Sequence, residues 1–122
     1  MKLSPCLIRG DVVLTRFPLT DGSHVRIRPA LVLMDQTGAD VVLAFISANT
    51  QQGRSVRTDV VIGPELSDFA SSGLKSPSLV HLNKIETLGA AATVIRKLGH
   101  LGADSQAAID HCLRLLLVLS AR

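Results

Sequence analysis

The residue best suited to take part in chemistry is Arg28, which is followed by a proline. Arginine is a permanent cation, and its planar fork of N–H donors fits the oxygens of a phosphate group. Pro29 has no backbone N–H and biases its predecessor toward extended geometry, so we expect Arg28 to be held extended at the mouth of a strand. Arg28 could then bind a phosphate and stabilise negative charge that develops there. Taken alone, it is equally well explained as a surface charge.

Two further side chains could take part in proton chemistry. Ser47 is the first polar residue after the apolar run VVLAFI, and its hydroxyl could donate to a phosphate oxygen or move a proton locally. A serine without a neighbouring base is a poor nucleophile, and one at a strand end often only caps a turn. His24 lies in a polar segment and could act as an acid or a base, or simply be solvated. His81, in an apolar strand, and His111, on a helix, are interpreted as structural or surface residues.

Basic side chains accompany these candidates along the chain, and they would form a rim around a common site if their loops converge. They are Arg26, Arg54, Arg57, Lys75 and Lys84. The net charge of +3 and the pI of about 9.3 favour a polyanionic partner, although ordinary surface charges give the same balance. With three phenylalanines and no Trp or Tyr, any nucleic-acid site must work with little base stacking.

Several kinds of chemistry find no support in the sequence. The four histidines lack close ligand spacing such as HxxxH, and there is no CxxC, so neither a metal site nor another cofactor is expected. The two cysteines, Cys6 and Cys112, do not indicate a disulfide framework. The motifs GxxxxGK[ST], GxSxG and GxGxxG are absent, which argues against nucleotide hydrolysis and serine-hydrolase chemistry.

The rest of the chain must position these residues, and 122 residues suit one domain spanning 1–122. We predict six short strands, at Val12–Phe17, Ala30–Met34, Val41–Ile46, Asp59–Ile62, Leu79–Leu82 and Thr93–Leu98. The second and third are nearly continuous apolar runs, which predicts burial on both faces, and their short connection predicts an antiparallel hairpin. The polar segment between the first two strands is predicted to be a long, mobile loop.

A helical period follows the strands. The helix is predicted to begin at Asp104 or Ser105, with one apolar face formed by Ile109, Cys112, Leu113, Leu116 and Leu119. Leu115, Leu117 and Val118 widen that face, so the helix end either contacts a second molecule or is wrapped within its own domain. Short strands followed by one helix predict a mainly β fold, a small twisted antiparallel barrel with a C-terminal helix. No signal peptide or membrane-spanning run is seen, so we expect a cytoplasmic protein.

The ordered set of motifs resembles the PemK/MazF-like toxins of bacterial type II toxin–antitoxin pairs. The matching stretches are GDVV, FPLTDGS, RIRPALVL, VVLAFISAN, GLKSPSLVHLNKIETL and RKLGHL, followed by the amphipathic helix. The resemblance covers nearly the whole chain from Gly10. It implies an SH3-like or CcdB-like barrel that forms a homodimer and cleaves single-stranded mRNA at short sequences without metal. It also implies a cognate antitoxin that blocks the same groove, and operator DNA binding only through that antitoxin.

The resemblance also assigns roles to residues. The family's catalytic arginine corresponds to Arg28, and its Ser or Thr at the end of the third strand corresponds to Ser47. His24 lies near a loop histidine that some members use. Some members also use an acidic residue in a late strand, where this chain has Ser76 or Ser78. Asp21 and Asp59 are candidate substitutes for that acid.

Two alternatives stay open at this stage. The first is a family member of weak or no activity that serves as a nucleic-acid- or protein-binding module. The second is a purely structural dimerisation domain, which would leave Arg28 and Ser47 more than about 10 Å apart, too far to share one phosphate.

Overall fold

The computed structural model describes residues 6–18, 25–48 and 58–117. Strands and helices alternate along these ranges. The strands are β1 (Asp11–Pro18), β2 (Val25–Val32), β3 (Asp40–Ala48), β4 (Asp59–Ile62), β5 (Ser78–Gly89) and β6 (Val94–His100). A single 3₁₀ turn lies at Ala70–Ser72, and the helices are α1 (Ala90–Thr93) and α2 (Ala103–Leu117).

The six strands form one antiparallel sheet in the order β4-β5-β3-β2-β1-β6. This confirms the predicted mainly β fold with a C-terminal helix. Over the described ranges β4 and β6 are the two edges and do not pair with each other, so the sheet is open and the barrel is not closed. The hairpin of β2 and β3 is antiparallel, as predicted from its short connection.

Both faces of the sheet carry an apolar core, which explains the continuous apolar runs in β2 and β3. Successive strand residues point to opposite faces, so Val12 and Val13 belong to different clusters. One cluster contains Val12, Leu31, Ala44, Ile46, Ile62, Val80, Leu82, Leu101 and Ile109. The other contains Val13, Ala30, Val32, Val41 and Leu43. The first cluster includes Ile109 of α2, so the helix covers that face.

Helix α2 begins at Ala103, within two residues of either predicted start. Its first turn is tied to the preceding turn segment by Asp68, whose carboxylate accepts hydrogen bonds from the Ser105 hydroxyl at 2.8 Å and the Ser105 backbone N–H at 3.3 Å. An acidic group that accepts from the first turn stabilises a helix N-terminus. No helix within the described ranges is both long and apolar enough to cross a bilayer.

Two strands extend far beyond their predicted bounds. β2 begins at Val25 rather than Ala30, and β5 runs for 12 residues rather than four. The sequence pattern predicts a loop for residues 25–29, but β1 supplies their backbone partners, from Pro18↔Val25 to Leu14↔Pro29. Part of the predicted loop is therefore strand, and its residues 19–24 lie outside the described ranges.

Candidate active site

A groove opens where β2 leaves β3. β3 pairs with β2 only over Ala30–Val32, while β1 continues to pair with β2 as far as Val25. Among the strands of the described ranges, the first half of β2 thus has a neighbour on one side only. The space on its other side has a volume of about 380 Å³ and is lined by Arg26, Arg28, Phe45, Ile46, Ser47, His81 and Lys84.

The far wall of the groove is an irregularity in β5. Ala44 of β3 pairs with Ile85, whereas Ile46 pairs with Val80, so residues 81–84 lie opposite the single residue Phe45. This extra length is supported by the residue before β4, because the Thr58 carbonyl accepts a hydrogen bond from the Leu82 N–H at 2.9 Å. A bulge of this kind re-aims side chains, and here it directs residues of β5 toward the groove.

Ser47, His81 and Asp59 form a continuous chain of hydrogen bonds at the edge of this groove. The Ser47 Oγ lies 2.6 Å from the His81 Nε2, and the His81 Nδ1 lies 2.9 Å from the Asp59 Oδ1. The contact between β4 and β5 follows from register, since Asp59 is the cross-strand partner of His81. The Asp59 carboxylate is 5% exposed and the His81 ring 21% exposed, so solvent access increases toward Ser47 and the groove.

The chemistry of the three groups assigns their protons. An ionised carboxylate can only accept, so the His81 Nδ1 carries the proton that bonds to Asp59. In a neutral imidazole the Nε2 is then an acceptor, and it accepts from the Ser47 hydroxyl. The serine therefore has the neighbouring base that sequence reasoning did not find for it.

The other side of the groove is cationic. Arg26 and Arg28 are two residues apart on β2 and share one face of that strand, and Lys84 of β5 joins them in the lining. The backbone of Arg28 is fixed by the buried Thr15, whose hydroxyl donates to the Arg28 carbonyl at 2.7 Å. A phosphate bound by these cations would lie in the same groove as the Ser47 hydroxyl.

Helix α2 lies near Asp59, the buried end of the Ser47–His81–Asp59 hydrogen-bond chain. The pKa of the Cys112 thiol is raised by burial and by the negative charge of Asp59. The thiol is therefore kept in its neutral form near this carboxylate, and it adds no competing charge. Over the described ranges, no group of three or more His, Cys, Asp or Glu side chains is arranged to hold a metal ion.

The structure brings together four of the predicted site residues. Arg28, Ser47, Arg26 and Lys84 all line the groove, and the prediction that Arg28 is extended is confirmed, although it lies within β2 rather than at its mouth. This shared groove argues against the purely structural alternative, which required Arg28 and Ser47 to be far apart. Lys75 is exposed and is not part of the lining. His24, Arg54, Arg57 and Asp21 lie outside the described residues.

His81 is the residue that the sequence interpretation missed. Its position in an apolar strand predicts a structural or surface role, but it joins Ser47 to Asp59 and lines the groove. The resemblance suggests Asp59 only as a candidate substitute for a late acid. Ser76, at the position considered for that acid, is exposed, whereas Ser78 is buried and donates to the Ser76 carbonyl.

Comparisons with known proteins agree with this architecture. Residues 8–117 match the sequence model of a family described as the PemK-like, MazF-like toxin of type II toxin–antitoxin systems. No curated protein sequence is significantly similar to the chain.

Solved structures resemble the whole fold. An endoribonuclease in complex with its cognate antitoxin, from a mycobacterial species, is 27% identical with a TM-score of 0.68, covering 98% of this chain and 100% of the other. An endoribonuclease from a mycobacterial species is 25% identical with a TM-score of 0.69, covering 99% and 100%. A MazE–MazF structure from Deinococcus radiodurans has a TM-score of 0.73 at 18% identity, covering 96% and 100%, and this likeness concerns the fold alone.

Proposed function

The chain belongs to the PemK-like, MazF-like toxins of type II toxin–antitoxin systems, and from that premise we propose that it is an endoribonuclease that cleaves single-stranded mRNA without a metal ion. The observation that carries this proposal is the groove between β2 and β5. It places the cations Arg26, Arg28 and Lys84 in one cavity with the Ser47 hydroxyl. These groups supply phosphate binding and proton chemistry, which are the two requirements for cleaving RNA.

RNA carries its own nucleophile, the ribose 2′-hydroxyl next to each phosphate. When that oxygen attacks, the O2′–P bond forms, the P–O5′ bond breaks, and the phosphorane between them carries extra negative charge. Arg28 is the main phosphate cation, because its backbone is fixed by Thr15 and its guanidinium is a permanent charge. Arg28 stabilises the phosphorane, and it can protonate the departing 5′-oxygen because that alkoxide is a stronger base than a neutral guanidine; Ser47 assists at the phosphate.

The proposal extends to partners. The mycobacterial endoribonuclease was solved in complex with its cognate antitoxin. A small antitoxin protein that covers the groove of this chain would inhibit it. The exposed side chains of Val25 and Ile27 on β2, and of Leu115 and Leu117 on α2, leave apolar surface that a homodimer could bury. Operator DNA would be bound only through the antitoxin. Action on mRNA places the toxin in the cytoplasm.

The direct test uses purified protein and a long natural single-stranded RNA in the presence of EDTA, with the cut sites mapped by sequencing the new 5′ ends. Wild type should cut at a short recurring sequence. Arg28→Ala should reduce the rate by about 10²–10³-fold, because it removes the preorganised charge that faces the phosphorane.

Arg96→Ala is the matched control, since Arg96 is an exposed arginine on β6, a sheet edge that does not line the groove. It should retain the wild-type rate. Equal cleavage by wild type and Arg28→Ala would overturn the assignment of Arg28. Salt-sensitive retention of RNA without any product would instead favour the binding-module alternative.

A further inference from the structure

We propose that His81, held by Asp59, is the proton acceptor for RNA cleavage and that it takes the proton of the ribose 2′-hydroxyl through Ser47. This inference rests on the proposed endoribonuclease function and names a further residue for that site. It comes from the 2.6 Å and 2.9 Å contacts that link Ser47, His81 and Asp59 at the groove.

The geometry has the features required of a base with a fixed orientation. A base must reach the group that it deprotonates, and a third group must hold its ring in the correct tautomer. Asp59 fulfils the second condition from β4, where it is nearly buried and pairs across the strands with His81. Only the His81 Nε2 then faces Ser47, and that serine lines the groove in which the phosphate binds.

The proton path balances without any other reagent. The 2′-hydroxyl gives its proton to the Ser47 Oγ as the Ser47 hydroxyl passes its own proton to the His81 Nε2. The 2′-oxygen bonds to phosphorus as the P–O5′ bond breaks, and the 5′-oxygen leaves on the opposite side, where it takes a proton from the Arg28 guanidinium; water then returns a proton to Arg28. The products are a 2′,3′-cyclic phosphate and a 5′-hydroxyl, and His81 ends as an imidazolium that is stabilised by Asp59.

The path also explains why a carboxylate is not needed in the groove lining itself. Arg26, Arg28 and Lys84 face the RNA from β2 and β5, and the carboxylate of Asp59 meets the substrate only through the imidazole. The negative charge of Asp59 therefore supports the base without repelling phosphate directly, because two side chains lie between them.

The experiment uses an RNA oligonucleotide that contains the cut sequence mapped for wild type. His81→Ala and His81→Gln should each lower kcat by about 10²–10⁴-fold with little change in KM, since a base acts in the transition state and not in binding. Added imidazole should partly restore cleavage by His81→Ala, because the small base can occupy the space that the variant opens. The matched control is His111→Ala, an exposed histidine of α2, which should cleave at the wild-type rate.

Distinct results separate this inference from the function on which it rests. If wild type cleaves and both His81 variants cleave equally well, His81 is not the acceptor although the protein is an endoribonuclease. A raised KM with unchanged kcat, or a lost activity that imidazole does not restore while the variants keep the wild-type melting temperature, also overturns the role. Cleavage of an oligonucleotide with a 2′-deoxyribose at the cut site would show that Ser47 attacks phosphorus itself. If wild type cleaves no RNA, the proposed function fails first.

Discussion

The molecule contains two Asp–His pairs with the same local design and different surroundings. Asp59 and Asp11 are each the first residue of a strand, β4 and β1, and each faces a histidine across an antiparallel register, Asp59↔His81 and Asp11↔His100. The distances match closely, at 2.9 Å from the His81 Nδ1 to the Asp59 Oδ1 and 2.8 Å from the His100 Nδ1 to the Asp11 Oδ1. The pairs lie toward opposite edges of the sheet.

What differs is the other end of each imidazole. The His81 Nε2 meets the Ser47 hydroxyl beside a cationic groove, so a proton can pass outward to a substrate. The His100 Nε2 lies 3.2 Å from the amide of Gln106, which also donates to the Leu101 carbonyl, so this imidazole is held by α2. The two pairs therefore differ in whether the second imidazole nitrogen meets a residue that lines the groove or a residue of α2.

The carboxylates differ as well. Asp11 is 2% exposed and accepts from three donors, the Ile8 backbone N–H at 2.9 Å, His100, and the Lys97 ammonium at 3.1 Å. Burial disfavours its charge, but these donors outweigh burial and lower the pKa of Asp11 below its ordinary value of 3.8. Asp11 thus joins the N-terminal turn to β6 and serves the fold.

The largest difference between the two regions should appear when each aspartate is replaced by asparagine in a separate variant. Asp59→Asn keeps the shape of the side chain but removes the charge and the tautomer preference of His81, so RNA cleavage should fall by about 10²–10⁴-fold. Asp11→Asn should keep the wild-type rate per folded molecule. Single-turnover cleavage by both variants, normalised to the folded fraction from circular dichroism, measures the difference. Equal losses in the two variants would show that both pairs only support the fold.

The order of the two variants should reverse when stability is measured, with the larger loss in Asp11→Asn. Asp11→Asn should lower the free energy of unfolding by about 1–3 kcal/mol near neutral pH, because a buried carboxylate loses its charge-assisted hydrogen bonds. Urea unfolding measures this loss, and Asp59→Asn provides the comparison within the same assay.

The pH dependence of that loss has a defined sign. The pKa of Asp11 is lower in the folded state than in the unfolded chain, so its contribution is complete above 3.8 and disappears as the pH falls through the lower, folded value. The gap between wild type and Asp11→Asn should therefore close in acid. A gap that stays constant down to about pH 2 would mean that ionisation of Asp11 does not stabilise the fold.

A smaller effect on stability is expected at the turn before Asp11. Gly10 has a φ of +95°, and a Cβ there would lie 2.5 Å from the Gln106 Nε2 and 3.0 Å from the His100 Cε1. Gly38 has a φ of +72° with nothing within 4 Å of a Cβ, so a substitution there meets only the backbone cost of a positive φ. Gly38→Ala should cost about 1 kcal/mol and Gly10→Ala about 2 kcal/mol, both measured by urea unfolding. An equal cost would show that Gln106 and His100 do not constrain this turn.

Local patterns were sufficient for much of the site. Arg28 is followed by proline, and Ser47 ends an apolar run, so both could be identified from their immediate neighbours. His81 could not, because the role proposed for it depends on Asp59 and Ser47, which lie 22 and 34 residues away on two different strands. Only the register of β5 between β3 and β4 brings these groups together. Similarly, the polar start of β2 resembles a loop until β1 is known to pair with it.

The smallest expected effect concerns RNA binding and compares one lysine from each region. Lys84 lines the groove, whereas Lys97 contacts Asp11 at the opposite side of the sheet and is 51% exposed. If Lys84 contacts an RNA phosphate, Lys84→Ala should reduce the slope of log Kd against log salt by about 0.7, because one fewer counterion is released from a single strand. Affinity should fall only a few-fold at moderate salt.

Fluorescence anisotropy with an RNA that is 2′-deoxy at the cut site measures this slope without cleavage. Lys97→Ala removes the same charge from the same net total, so it isolates the position of the charge from its amount. Its salt slope should match that of wild type. An equal decrease of the slope in the two variants would mean that RNA binding depends on the overall positive charge rather than on the groove. The contrast between the two Asp–His regions would then rest on proton transfer alone.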